Sequence, residues 1–167
     1  MLLRTVEVKD AEQILEYTKI VGSESNNLLF GSEGIGLTVE QEIEVLESII
    51  NHPKQIMIVA IENDEVVGLA NLSGQTRERI AHQARLAISV RKDYWGKGVS
   101  TQLMDFIINF AKEIKIEVIT LEVFSNNIRG IKLYENFGFE HIGEFKKFAK
   151  INGEFVDAKL MNLYLKY

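Results

Sequence analysis

The residues most able to do chemistry stand together at Gly96-Lys97-Gly98-Val99-Ser100-Thr101. Two glycines let a main chain come close to a ligand, and Lys97 adds positive charge. A helical stripe follows at once, with Val99, Leu103, Phe106, Ile107, Phe110 and Ile114 recurring at three and four residues. A helix N-terminus carries N–H groups without partners and a partial positive charge, which suits phosphate. Glycines also gather in tight turns that hold nothing, so both readings stand on these residues alone. Two familiar phosphate loops fail the comparison. A nucleoside-triphosphate loop needs a glycine five residues before the Gly-Lys pair and a hydroxyl right after it, where this chain has Arg91 and Gly98. A dinucleotide fingerprint needs glycine or alanine where Thr101 stands, directly after a strand; only Glu117, about twenty residues on, agrees with it. Gly31 to Gly36 has a similar rhythm but follows no strand, and reads as a flexible loop.

The elements that must position this loop follow from periodicity. Ala84, Leu86, Ile88 and Val90 alternate with Arg85, Ala87 and Ser89, predicting a strand that feeds the loop. Val118–Phe124 predicts another strand after the helix. Asn126-Asn127 opens a shorter helix through Phe137, with Gly138 as its left-handed cap. Upstream, Leu2–Val8 reads as a strand, and Asp10 with Gln13 as a capping box for a helix from Ala11. Residues 22–36 are rich in turn formers and read as a loop, although Leu28, Leu29 and Phe30 point to docking on something apolar. Thr38 with Gln41 caps a second helix, ended by Asn51 and Pro53. Ile56–Ile61 and Val66–Leu72 form a hairpin turned by Asn63-Asp64, and a last hairpin spans about 139–165 around Asn152-Gly153. The expected fold is α/β (α+β): one central sheet with helices on both faces.

Composition narrows the function classes. A chain of 167 residues predicts one domain, 1–167, large enough to bury a core without staples. Its net charge of −5 argues against non-specific binding to nucleic acid, and no nucleic-acid partner is expected. There is no cysteine, which removes disulfides, thiolate metal sites and a cysteine nucleophile, and no metal is expected. No apolar run approaches the roughly 18 residues of a membrane helix, and Met1 to Thr5 lack the form of a signal peptide. The expectation is a cytoplasmic protein without a membrane partner.

Two blocks carry a family resemblance. Val90-Arg91-Lys92-Asp93-Tyr94-Trp95-Gly96-Lys97-Gly98-Val99-Ser100-Thr101-Gln102-Leu103-Met104 resembles the acyl-CoA pyrophosphate loop of the GNAT superfamily of N-acyltransferases. Downstream, Asn127, Gly130, Leu133-Tyr134 and Gly138-Phe139 resemble that family's second block, in the family's order. The tail Ile151-Asn152-Gly153-Glu154-Phe155-Val156-Asp157 is similar to members that acetylate amino acids, ribosomal-protein N-termini or small amines. The resemblance implies a GNAT-like fold: a mixed, mostly antiparallel sheet of about seven strands flanked by about four helices. It implies acetyl-CoA as co-substrate, with its diphosphate on the backbone N–H groups of Gly96, Lys97, Gly98, Val99, Ser100 and Thr101. The pantetheine arm would lie along Ile88, Ser89 and Val90, and Asn127 would contact the cofactor. Tyr134 would be the general acid that protonates the departing thiolate. Homodimers are common in the family.

The chain departs from the family at three places. Trp95 stands where Arg or Gln is usual, and Ser100 where Gly or Ala is usual. Many members carry a glutamate general base where counting back from Val90 reaches Arg85. His82, with its near-neutral titration, and Glu33, in the loop that walls the acceptor site in this fold, are the candidates for base or substrate contact. Arg91, Lys92 and Lys132 are candidates for the CoA 3′-phosphate. At pH 7, deprotonating a lysine-like amine costs about 4.6 kcal/mol, against about 1–1.4 kcal/mol for an α-amino group. A chain with no obvious base therefore fits an α-amine or a water relay better. The expected function is direct acetyl transfer from acetyl-CoA to the primary amine of a small molecule, an amino acid being the favoured case. The alternatives are a protein N-terminus, an antibiotic or polyamine acceptor, or a non-catalytic CoA-binding module.

Overall fold

The computed structural model describes all 167 residues. In chain order the elements are β1 (Leu2–Thr5), α1 (Ala11–Glu24), α2 (Val39–Ile50), β2 (Gln55–Glu62), β3 (Glu65–Gly74), β4 (Gln83–Val90) and α3 (Val99–Glu113). They are followed by β5 (Val118–Phe124), α4 (Ile128–Asn136), β6 (Glu140–Ile151) and β7 (Glu154–Tyr164). The seven strands form one sheet in the order β1-β2-β3-β4-β5-β7-β6. Every neighbouring pair is antiparallel except β4 and β5.

Alternation along the strands splits the core in two. Ile56, Ile58 and Ala60 of β2 face α3 and pack with Leu103, Met104 and Ile107. Met57 and Val59 face the other way and pack with Ile14, Tyr17 and Leu46 from α1 and α2. The sheet is thus covered on both faces, as a strand pattern with apolar residues at both parities requires. Tyr17 is buried on α1, and its hydroxyl lies 3.0 Å from Ser89 Oγ, tying that helix to β4. The hairpin turns hold as read: Asn63 and Asp64 take φ of 51° and 62°, and Asn152 and Gly153 take 51° and 82°.

Three local expectations change. β1 stops at Thr5, because a 3₁₀ turn at Val8–Asp10 intervenes before α1. Asp10 makes no side-chain cap on α1. Its carboxylate instead takes a two-pronged bond from Arg4, at 2.7 and 2.8 Å, and a third from the Glu7 N–H at 2.7 Å. Finally, α1 runs through Gly22 to Glu24 rather than ending at residue 22. A Cβ built on Gly22 would land on the Gly31 carbonyl, so this glycine is where the loop after α1 crosses the helix. Local propensity read Gly22 as a breaker; its actual role is to admit a close backbone approach.

Two outcomes follow. Gly22→Ala gains about 1 kcal/mol of helix propensity but meets an overpacking cost of about 1–3 kcal/mol. A net fall in Tm, with increased proteolysis in residues 25–38, is expected in thermal melts and limited digestion. Burial pushes the Asp10 carboxyl up, but the bonds from Arg4 and the Glu7 N–H outweigh it and leave the group below its ordinary value. Its stabilisation is therefore present above the unfolded value of about 3.9 and is lost as pH falls through the folded one. Asp10→Asn is expected to be less stable at pH 7 and to show a flatter acid limb in the same melts.

Candidate active site

The parallel contact between β4 and β5 is only three residues long: Gln83↔Val118, Ala84↔Ile119 and Arg85↔Thr120. Beyond it the two strands part, β4 staying with β3 up to Val90 and β5 staying with β7 up to Phe124. Arg91 N donates to Val67 O, and Gln83 O accepts from Gln75 N, so odd-numbered residues at both ends of β4 turn their main-chain groups to β3. By alternation Leu86, Ile88 and Val90 turn theirs into the gap. A strand-like ligand arm finds an unpaired sheet edge there. Of the three residues expected along the arm, Ile88 turns its main chain into the gap. The main chain of Ser89 belongs to β3, and the Val90 carbonyl accepts the Trp95 indole N–H at 2.8 Å. Trp95, at the family's Arg or Gln position, thus pins the loop to the end of the strand that feeds it.

The loop itself is built to present donors. Gly96 and Gly98 take φ of 74° and 80°, and Gly98 is the N-cap of α3. None of the six N–H groups from Gly96 to Thr101 has a partner within the protein; the first N–H satisfied is that of Gln102, by Gly98 O. Gly96, Gly98, Ser100 and Thr101 line the cleft, whose volume is about 730 Å³. Val99 instead points its side chain into the core beneath the sheet, and Lys97 lies over the Tyr94 ring. Neither side chain lines the cleft, so each has only its main chain to offer there. This cradle of amides, with Arg129 and Lys132 on its rim, fits a diphosphate.

The far wall comes from α4. Asn127 caps that helix, its Oδ1 accepting the Gly130 N–H at 3.0 Å. A Cβ on Gly130 would come within 2.6 Å of the Asn127 amide, which explains why a small residue stands three places on. Tyr134 is buried among core residues yet lines the cleft, and its hydroxyl makes no hydrogen bond within the protein. Burial pushes that hydroxyl's pKa up, so it stays protonated through the neutral range.

Residues 3–160 match the family profile of the acetyltransferase (GNAT) domain. This chain belongs to the GNAT acetyltransferases. It is 35% identical over 116 residues to an L-amino acid N-acetyltransferase of Escherichia coli K12, covering 69% of this chain and 72% of that one. An acetyltransferase of the GNAT family from Streptococcus pneumoniae superposes with a TM-score of 0.94 at 29% identity, over 98% of this chain and 99% of that one. A phosphinothricin acetyltransferase from Sinorhizobium meliloti, solved with acetyl-CoA, shares the fold at a TM-score of 0.83 and 19% identity, over 98% of this chain and 88% of that one. Acetyl-CoA is the co-substrate of this family, and no helix is long and apolar enough to cross a membrane.

Within this GNAT domain the side-chain candidates separate. Glu33 is exposed and lies outside the cleft lining; its carboxylate accepts the Gly31 N–H at 2.9 Å and holds its own turn together. His82 stands at the entry to β4, at the closed end of the β4–β5 contact, where its carbonyl accepts from Glu117 and Val118. Arg91 is drawn off the cofactor side by Glu65 at 2.9 Å and Glu24 at 3.9 Å. Lys132 does line the cleft, whereas Lys92 does not.

Two cleft residues are absent from the candidates named above. Arg129 sits over the Trp95 ring, 5.1 Å from its centroid. Its signal was available: a cation in a helix's first turn opposes the helix dipole unless an anion comes near. Glu122 of β5 meets Arg85 of β4 at 2.6 Å, and no local pattern announces a pair joined only by the sheet.

Gly98→Ala is expected to strain the left-handed N-cap by about 1–2 kcal/mol and to turn the amides off their common focus. Calorimetry should show the Kd for acetyl-CoA rising about tenfold, with the circular dichroism spectrum unchanged.

Proposed function

We propose that this chain transfers the acetyl group of acetyl-CoA directly to the primary amine of a small molecule, and that the acceptor is an α-amino acid. The observation that carries the choice is that both carboxylates lining the cleft are already engaged. Glu24 accepts the Lys92 N–H at 2.7 Å, and Glu122 is paired with Arg85. No free base stands ready to strip a lysine-like amine, so an acceptor whose amine gives up its proton more readily is favoured. The similarity to an L-amino acid N-acetyltransferase supports the same class.

The chain's own residues divide the work across the sheet. Odd residues of β4 and even residues of β5 face the α1 side, as the Tyr17–Ser89 contact shows for β4. Their neighbours Leu86, Leu121 and Val123 pack toward α3 and α4. The amide cradle before α3 therefore serves one side of the gap, and the acceptor enters from the other, beneath Leu28, Leu29 and Phe30. Bound acetyl-CoA supplies an activated thioester. The free edge at Ile88 aligns the arm, and the Gly96–Thr101 amides fix the diphosphate. Tyr134, protonated and without an internal partner, gives its proton to the leaving sulfur, and the proton lost by the attacking amine passes to water, which restores that of Tyr134. With no cysteine in the chain, no acetyl-cysteine step is available, which favours both substrates bound together.

Three measurements test this reading. Tyr134→Phe should cut kcat about a hundredfold while the Kd for acetyl-CoA stays within about twofold. Initial-rate plots should intersect, as a ternary complex requires; parallel lines would contradict direct transfer. A CoA-release screen across amino acids, polyamines, peptides and aminoglycosides should place amino acids first in kcat/KM, and clear superiority of polyamines would overturn the acceptor class.

A further inference from the structure

The cleft on the α1 side carries one ion pair at its floor. Arg85 is the last residue of β4 that pairs with β5, opposite Thr120, and Glu122 lies two residues further along β5. Their contact of 2.6 Å spans the point where the strands begin to part. Neither side chain is sealed in, with 53% of Arg85 and 26% of Glu122 exposed, and both line the cleft. The walls beside them are apolar, from Phe30, Phe124 and Phe148.

We infer that Arg85 and Glu122 are the specificity pair of the acceptor site: Arg85 takes the carboxylate of an α-amino acid and Glu122 its ammonium group, the acceptor inserting between them. This rests on the amino-acid reading above and deepens it to named residues. An ion pair this exposed is worth about 0–1 kcal/mol, so opening it costs little. A zwitterion replaces that single contact with two charge-assisted ones, and arginine's planar fork matches a carboxylate. The amine and carboxylate of an α-amino acid sit on one carbon, which suits two charges held side by side. An amine without a carboxylate would take Glu122 and leave Arg85 without a partner against the aromatic wall. Discrimination thus comes from the cost imposed on the wrong acceptor as well as from contact with the right one. Arg85 occupies the position where many family members carry their glutamate base, so β5 supplies the carboxylate here and β4 supplies its counter-charge.

The test compares an L-amino acid, its C-terminal amide and the corresponding decarboxylated amine as acceptors, with putrescine as a dication, by CoA release. The wild type should favour the amino acid over the amide in kcat/KM by about ten- to a hundredfold, the scale of one charged hydrogen bond. Arg85→Gln should erase that preference chiefly through KM for the amino acid, leave KM for acetyl-CoA unchanged, and raise kcat/KM for putrescine. That gain cannot come from a misfolded protein. Arg85→Lys should recover part of the preference, and Glu122→Gln should weaken all four acceptors. A wild type that acetylates the amino acid, with a preference unchanged in Arg85→Gln, overturns the pair's role and leaves the amino-acid reading standing. Turnover of putrescine but of no amino acid overturns both.

Discussion

Everything functional in this fold depends on β4 and β5 pairing for only three residues. A parallel pair that continued would saturate the edge of β4, close the sheet and leave no passage between its faces. The contact ends because each strand has a stronger claim on it elsewhere. β4 is held by β3 along its whole length, and β5 is held by β7 from Val118 to Phe124. The sheet behaves as two antiparallel units hinged at Gln83–Arg85, and their twist carries them apart. Main-chain groups of β4 that would be unsatisfied in a core are left open to the cleft.

The second consequence of the gap is that polar groups without internal partners converge on it. Six consecutive amides at Gly96–Thr101 and the hydroxyl of Tyr134 lack internal bonds. Donors without internal partners, gathered along one cleft, are free to meet water or a ligand. The packing around them is firm: Trp95 holds the loop to Val90, Asn127 closes the first turn of α4 over Gly130, and Tyr17 ties α1 to Ser89. The donors are therefore aimed before any ligand arrives.

The tail illustrates a motif with a structural explanation. Asn152 and Gly153 adopt the positive φ of a tight hairpin turn. Asp157 accepts the Lys147 N–H at 2.8 Å, beside the irregularity in β6 between Phe145 and Ala149. It repairs a main-chain donor that the bulge would leave unpaired. The signature preserves the hairpin that supports β5 rather than supplying a group to the cleft.

How much of this was legible in the residue order can be judged element by element. The order of strands and helices, the hairpin turns, the glycine loop before α3, and Asn127 and Tyr134 on α4 follow from period, turn chemistry and motif. These depend on a residue's near neighbours along the chain. Gly22 reads by type as the first residue of the 22–36 loop, because the Gly31 carbonyl that demands a glycine inside the helix is brought there by a loop closing over it. Asp10 was misread as a cap because Arg4 outcompetes the helix for its oxygens. Glu33 and His82 were credible by type, yet the fold turns one into its own loop and sets the other at the closed end of the strands. The Arg85–Glu122 pair had no local sign at all. Sequence alone determined the family and named the loop and helix residues that the fold brings to the cleft. Only the tertiary structure decided which charges share the cleft, because strands far apart in the chain meet there through hydrogen bonds that carry no side-chain code.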